Sequence, residues 1–123
     1  MIDHMGILVS DIERATAFYT KALAPLGYEV IMRFGPHAGL GVNKKPDFWI
    51  SGAAAPTDKL HIAFRADKRS LVNAFYEAAI AAGGRDNGPP GVREMYHPHY
   101  YGAFVLDPDG HNIEAVCHEP YLG

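Results

Sequence analysis

The sequence predicts an α+β fold in which two βαβββ modules lie side by side, their strands forming a curved mixed sheet with an open concave face and the helices outside. Three observations carry this. The chain repeats itself, the repeat unit opens on a strand followed by a helix, and three short strand-like runs follow each helix. A shift of 57 positions carries His4 onto His61, Ala17-Phe18-Tyr19 onto Ala74-Phe75-Tyr76, Ala22 onto Ala79 and Gly27 onto Gly84.

The elements follow in order. Residues 2–9 are apolar and rich in branched side chains, so they read as a strand. Ser10-Asp11 supplies a helix N-cap and Glu13 an acid in the first turn. Ile12, Ala15, Phe18, Tyr19 and Leu23 recur at helical spacing, and Pro25 and Gly27 end the run. Strands are expected over 28–34, 40–43 and 47–51. The second module repeats the plan. It has a strand over 60–66, a cap at Asp67, a helical stripe of Leu71, Phe75, Ala78 and Ala82, and a stop at Gly83-Gly84. Its later strands are expected over 92–96, 101–106 and 112–117. One domain results, with module one at 1–52, a small-residue linker at 53–58 and module two at 59–123. A four-stranded sheet with one helix leaves a face uncovered, so two such units should share an open concavity.

Composition narrows the function. The chain has 123 residues, 48% hydrophobic and 20% charged, with net charge -3. That is enough for a core, and it offers no basic patch for nucleic acid. No apolar run reaches the roughly 20 residues of a spanning helix. The first residues enter a strand rather than a secretion signal. The single cysteine, Cys117, has no internal partner for a disulfide. A cytoplasmic protein acting on a small molecule is the expectation, with no nucleic acid and no membrane as partners.

Strand alternation then selects a site. Met5, Ile7 and Val9 share one face, and Ile62, Phe64 and Ala66 share its repeat. These bulky sets belong against the helices. His4 and His61 fall on the opposite face, each two positions before a small residue, Gly6 or Ala63. In the last strand Ile113, Ala115 and Cys117 take the helix side, which leaves Glu114 facing the concavity. Two imidazoles and a carboxylate suit one divalent ion such as Fe, Mn, Ni or Zn, with positions left open for substrate. The metal-ligand candidates are His4, His61 and Glu114. The segment Arg93–Gly102 adds His97, Tyr100 and Tyr101 as candidate proton-transfer groups and His99 as a substrate contact. Trp49 is expected on the concave side as an aromatic wall, and His37 on a Gly/Pro loop that could close over substrate.

The stretches DHMGILVSDIERATAFYTKALAPLGY, LHIAF and FVLDPDGHNIEA together resemble the vicinal oxygen chelate superfamily, which includes glyoxalase I, extradiol dioxygenases, fosfomycin-resistance enzymes and bleomycin-binding proteins. The resemblance implies paired βαβββ modules, a homodimer whose sites are often built by two modules, and one divalent metal per site. It carries His4 onto the first-strand ligand, His61 onto the ligand opening the second module and Glu114 onto the last-strand carboxylate. The fourth ligand of the glyoxalase I pattern falls on Trp49, whose indole N–H cannot ligate. That departure argues against glutathione-dependent isomerisation. Gly6 stands where the fosfomycin enzymes carry threonine, and the cluster that grips a phosphonate is missing. The implied function is a glyoxalase-like lyase or isomerase, or a dioxygenase, that chelates substrate through neighbouring oxygens. The alternative is a non-catalytic binding protein of the bleomycin-resistance type, with a fosfomycin-type thiol transferase ranked behind it.

Overall fold

A computed structural model describes residues 1–120 of the chain. The first module comprises β1 (Met5–Val9), α1 (Ile12–Leu23), β2 (Glu29–Phe34), β3 (His37–Val42) and β4 (Lys45–Gly52). The second comprises β5 (His61–Arg65), α2 (Arg69–Ala81), β6 (Arg85–Val92), β7 (Tyr101–Leu106) and β8 (Asn112–Cys117). The expected βαβββ repeat is present twice. Each module forms an open mixed sheet of four strands, in the orders β1-β4-β3-β2 and β5-β8-β7-β6. The outer pairs β1–β4 and β5–β8 are parallel and the remaining pairs antiparallel.

Alternation builds the core. Ile7 and Val9 of β1, Ala38 and Leu40 of β3, and Phe48 and Ile50 of β4 are buried with Ala15, Phe18, Tyr19, Ala22 and Leu23 of α1. In the second module Ile62, Phe64, Ala103, Val105, Ile113 and Ala115 join Val72, Phe75 and Ala79 of α2. Each buried valine, leucine, isoleucine or phenylalanine contributes about 1.5–3 kcal/mol, and each alanine less. The helices also pack on one another, so the modules share one core. A chain of edge-on rings crosses between them: Tyr19 to Phe48 at 5.0 Å, Phe48 to Phe64 at 5.4 Å, and Phe64 to Tyr28 at 5.3 Å. The faces away from the helices carry His61 and Ala63 on one sheet and Gly6 and Leu8 on the other, and these residues are exposed.

Polar contacts lock the modules together. Ser10 Oγ donates to Asp109 Oδ1 at 2.6 Å, and the buried Tyr19 hydroxyl donates to Asp107 Oδ2. Residues 53–58 are more than a spacer. Ala53 N–H donates to Val9 O at 2.9 Å and Thr57 N–H to Leu8 O at 3.0 Å, while Thr57 Oγ1 accepts from Leu8 N–H at 2.8 Å. The linker thereby covers part of the free edge of β1.

Four local expectations are corrected. The second strand of module two is Arg85–Val92, not 92–96, and residues 93–100 form turns. Gly88-Pro89-Pro90-Gly91 reads as a breaker, but β6 is an edge strand, where proline leaves no ladder bond unmade on the open side. Its pairing with β7 is correspondingly irregular. Asp67 does not cap α2. Lys68 takes that position without a side-chain bond, whereas Asp11 caps α1 by accepting from Arg14 N–H at 3.1 Å. β1 begins at Met5, which leaves His4 just ahead of it. His37 lies inside β3 rather than on a closing loop, because β3 starts earlier than its first aliphatic residue suggests.

Candidate functional site

The outer face of the second sheet gathers most of the candidate chemistry. Glu114 sits mid-strand in β8, paired in register with Ala63 of β5 and Phe104 of β7. Its carboxylate is 1% exposed, yet it lies on the face away from α2. Two side chains cover it. His61 Nε2 stands 2.8 Å from Glu114 Oε1, and the Tyr100 hydroxyl donates to Glu114 Oε2. The small side chain at Ala63 and the absent one at Gly102 leave room for this. A Cβ on Gly102 would meet Oε2 at 3.3 Å. The His61 ring lies 6.2 Å from that of Phe104, which forms the floor beside it, and the imidazole remains 55% exposed. The Tyr100 phenol is pushed well above its ordinary pKa, by burial first and by the Glu114 bond second. It therefore stays protonated at neutral pH and keeps its donor role.

The loop over residues 93–100 folds back on the end of β8. Tyr96 and Tyr100 rings lie 4.7 Å apart, and His97 packs edge-on to Tyr100 at 5.5 Å. His97 also stacks on His118, with Nε2 of the first 2.9 Å from Nδ1 of the second. Tyr100 thus meets Glu114, and His97 meets Tyr100. His99 is exposed and contributes its N–H to His97 Nδ1. Tyr101 is not in the site. It lies on the helix side of β7, bonded to Asn73 of α2, with the Arg69 guanidinium over its ring at 5.0 Å. Alternation in β7 puts Gly102 and Phe104 on the outer face, which excludes Tyr101 from it. His118, Arg93 and Phe104 were not among the sequence candidates. Only the even positions of the strand over 101–106 could have pointed to Phe104.

The outer face of the first sheet is aromatic. Trp49 is half-buried there, with Phe34 at 6.0 Å between ring centres and His37 beyond it at 5.3 Å from Phe34. His37 Nδ1 lies 2.7 Å from Ser51 Oγ. The indole lies flat over Gly39, where a Cβ would come within 2.8 Å of the ring. Trp49 is the only tryptophan in the chain, so its surroundings can be read directly. Gly39→Ala is expected to lift the indole, red-shift its emission and lower stability by about 1–3 kcal/mol. Emission and urea midpoints identical to those of the parent protein would contradict this placement. His4, just ahead of β1, is exposed, with Nδ1 2.8 Å from Asp3 Oδ1. Asp3 also accepts from Lys45 at 3.0 Å, and the His4 and Lys45 contacts lower its carboxyl pKa.

The residues fit a divalent cation in part within one copy. The 2.8 Å between His61 Nε2 and Glu114 Oε1 is close to the roughly 3 Å that separates two donors each about 2.1 Å from one ion. An imidazole nitrogen and a carboxylate oxygen suit Fe, Mn, Ni or Zn. Among the described residues of one copy, no three His, Cys, Asp or Glu side chains converge, so His4 is not brought to this pair. A cleft of about 280 Å³ opens at the seam of the modules, between Met5, Tyr28, Asp47, Phe48, Phe64 and Arg65. His61 and Glu114 do not line it. Asp47 Oδ2 accepts there from Tyr28 at 3.1 Å, while Oδ1 is buried without a partner.

Paired βαβββ modules with an imidazole–carboxylate pair on an open sheet face define a recognisable class of small-molecule proteins. The chain belongs to the Glyoxalase/Bleomycin resistance protein/Dioxygenase superfamily, which it matches over residues 1–115. It is similar in structure to a glyoxalase/bleomycin resistance protein from Albidiferax ferrireducens T118, at 27% identity and TM-score 0.81, over 94% of this chain and 97% of that one. A glyoxalase/bleomycin resistance protein/dioxygenase family enzyme from Burkholderia phytofirmans PsJN shares the fold at 21% identity and TM-score 0.75, over 96% and 98%. So does the oxidase ChaP-H2, at 19% identity and TM-score 0.71, over 100% and 96%. No curated protein matches the chain. The superfamily includes enzymes, and among the described residues no helix is long and apolar enough to cross a membrane.

Proposed function

We propose that the protein is a metal-dependent enzyme that binds a small substrate through two neighbouring oxygens, of the lyase/isomerase or dioxygenase type. The observation that carries this reading is the contact of His61 Nε2 with Glu114 Oε1, with the Tyr100 hydroxyl on the second carboxylate oxygen. His61 and Glu114 would hold the ion from one copy, and His4 of a second copy would complete the set in a homodimer. A bound divalent ion supplies Lewis-acid polarisation of the substrate oxygens. The chain's own groups do the rest. Tyr100 holds a proton at its hydroxyl, aimed into the site. His97 packs edge-on against the Tyr100 ring and is itself tied to His118, which holds the phenol in place over Glu114. Phe104 keeps one wall of the site apolar. The aromatic wall of Trp49, Phe34 and His37 favours a second reading, sequestration of a ring-bearing molecule without turnover.

Mixing separates a shared site from one within a single copy. His4→Ala and Glu114→Ala each remove a ligand. If sites are shared, refolding the two variants together restores one intact site in each mixed dimer, about a quarter of the parent metal content. Metal analysis of the parent protein, each variant and the mixture reads this directly. A mixture no better than its components would overturn sharing. A parent protein that takes up no divalent metal would overturn the metal reading and leave the binding protein.

A further inference from the structure

We infer that Arg93 is the anion-recognising group of this site, so that its substrates are small organic acids: molecules with a carboxylate beside the two oxygens that meet His61 and Glu114. The inference deepens the function proposed above and rests on it for the position of those oxygens.

The guanidinium of Arg93 is seated with care. Its Nη2 donates to Pro89 O at 2.7 Å, and its Cζ lies 5.5 Å from the centre of the Phe104 ring. The strand beneath it has no side chain at Gly88 or Gly91. A Cβ at Gly91 would meet Nη1 at 3.0 Å, and one at Gly88 would meet Nη2 at 3.3 Å. One bond to a carbonyl and one to a ring fix the plane of the group but leave most of its N–H donors free. Among the described residues Arg93 makes no ion pair, and its side chain is half-buried. A half-buried, oriented arginine without a carboxylate is a ready partner for one from outside.

Its place decides what that partner is. Phe104 carries Arg93 on its ring, pairs with Glu114 across the strands and lies 6.2 Å from the His61 ring. The cation is therefore about one aromatic ring away from the proposed chelating pair, on the same sheet face. Of the other arginines on this face, Arg65 of β5 is turned toward Glu119 at 3.9 Å, and Arg85 pairs with Leu106 at the end of β6 away from Arg93. The single charge of Arg93 matches that of a carboxylate. It leaves a doubly charged phosphonate half-compensated.

The test compares two probes with the same adjacent oxygens, catechol and 3,4-dihydroxybenzoate, by calorimetry on the metal-loaded and metal-free parent protein and on Arg93→Gln. The parent is expected to bind the carboxylate probe about tenfold or more tightly than catechol. Arg93→Gln is expected to erase that preference while leaving catechol affinity and metal content unchanged; Arg93→Lys should restore it in part. Equal binding of the two probes by the parent, or equal loss of both in Arg93→Gln, would overturn the inference. Failure of the parent to take up metal would instead overturn the metal reading. The carboxylate preference, measured without metal, then still decides the role of Arg93.

Discussion

Glu114→Gln is expected to remove divalent metal from the protein and to leave the metal-free protein at least as stable as its parent. The two effects come from one fact. Glu114 is a carboxylate that is 1% exposed, held by Tyr100 and His61. Burying an ionised group costs several kcal/mol, and its hydrogen bonds recover that cost only in part. The amide has nearly the same shape. Its oxygen can accept from Tyr100, and its –NH2 can donate to a neutral His61, so little is lost on neutralisation. Metal binding responds in the opposite sense, because a neutral amide is a far weaker donor to a hard or borderline cation than a carboxylate. Changes in the groups that merely orient a ligand typically cost 10–100-fold in metal affinity. Loss of the ligand charge itself is expected to exceed about 100-fold. Tyr100→Phe belongs to the orienting class, with an expected loss of about tenfold. Calorimetric titration with Mn²⁺ or Zn²⁺, beside thermal unfolding in chelator, reads both quantities. A Glu114→Gln protein that binds metal as the parent does, or that melts well below it without metal, would contradict this account of the site.

The sequence carried the placement of Glu114 further than its environment. Alternation in a strand is local, so Ile113 and Ala115 on the helix side leave Glu114 on the other face whatever else the chain does. The same logic placed His61 and Trp49. What alternation cannot supply is what lies over a face. Glu114 is buried because the loop of residues 93–100 returns across it, and that loop exists because β6 ends at Val92. Gly88-Pro89-Pro90-Gly91 looks like a turn by composition, and only the position of β6 at the sheet edge makes a strand of it. The misplaced strand hid Arg93, whose seat is made by those same glycines. It also hid the pairing of His97 with His118, which are far apart in sequence. Tyr101 is a different case. Its strand was placed correctly, and its parity assigns it to α2 rather than to the site. The repeat revealed two modules, but a repeat says nothing of how copies assemble. His4 and His61 occupy equivalent positions and still do not meet within one chain.

Asp107→Ala is expected to cost about 3–5 kcal/mol of stability, the largest effect of any substitution outside the apolar core. Asp107 is 1% exposed. Its Oδ1 accepts from Asp109 N–H at 2.9 Å and from His111 N–H at 2.8 Å, and its Oδ2 accepts from the buried Tyr19 hydroxyl. Burial first, and the Asp107 charge next, push the Tyr19 phenol well above its ordinary pKa, so it remains a donor. One carboxylate therefore closes the Asp107–Gly110 turn and ties α1 of the first module to the second. Removing it strands a buried hydroxyl and the His111 N–H together. Tyr19→Phe breaks only the tie between modules and leaves the turn its two N–H partners. Its cost is expected to be about 1–3 kcal/mol, the penalty for one unsatisfied carboxylate oxygen. For a chain of this length a loss of 3 kcal/mol lowers the midpoint of thermal unfolding by roughly 6–20 °C. Urea unfolding of the parent and the two variants tests the ordering. Asp107 leads into the β8 strand that holds Glu114, so the turn and the site are coupled through register. Asp107→Ala protein that still folds at low temperature is expected to bind metal more weakly than Tyr19→Phe protein, although neither residue touches the proposed ligands. Equal stability of the two variants would show that the turn bonds contribute nothing beyond the tie to α1.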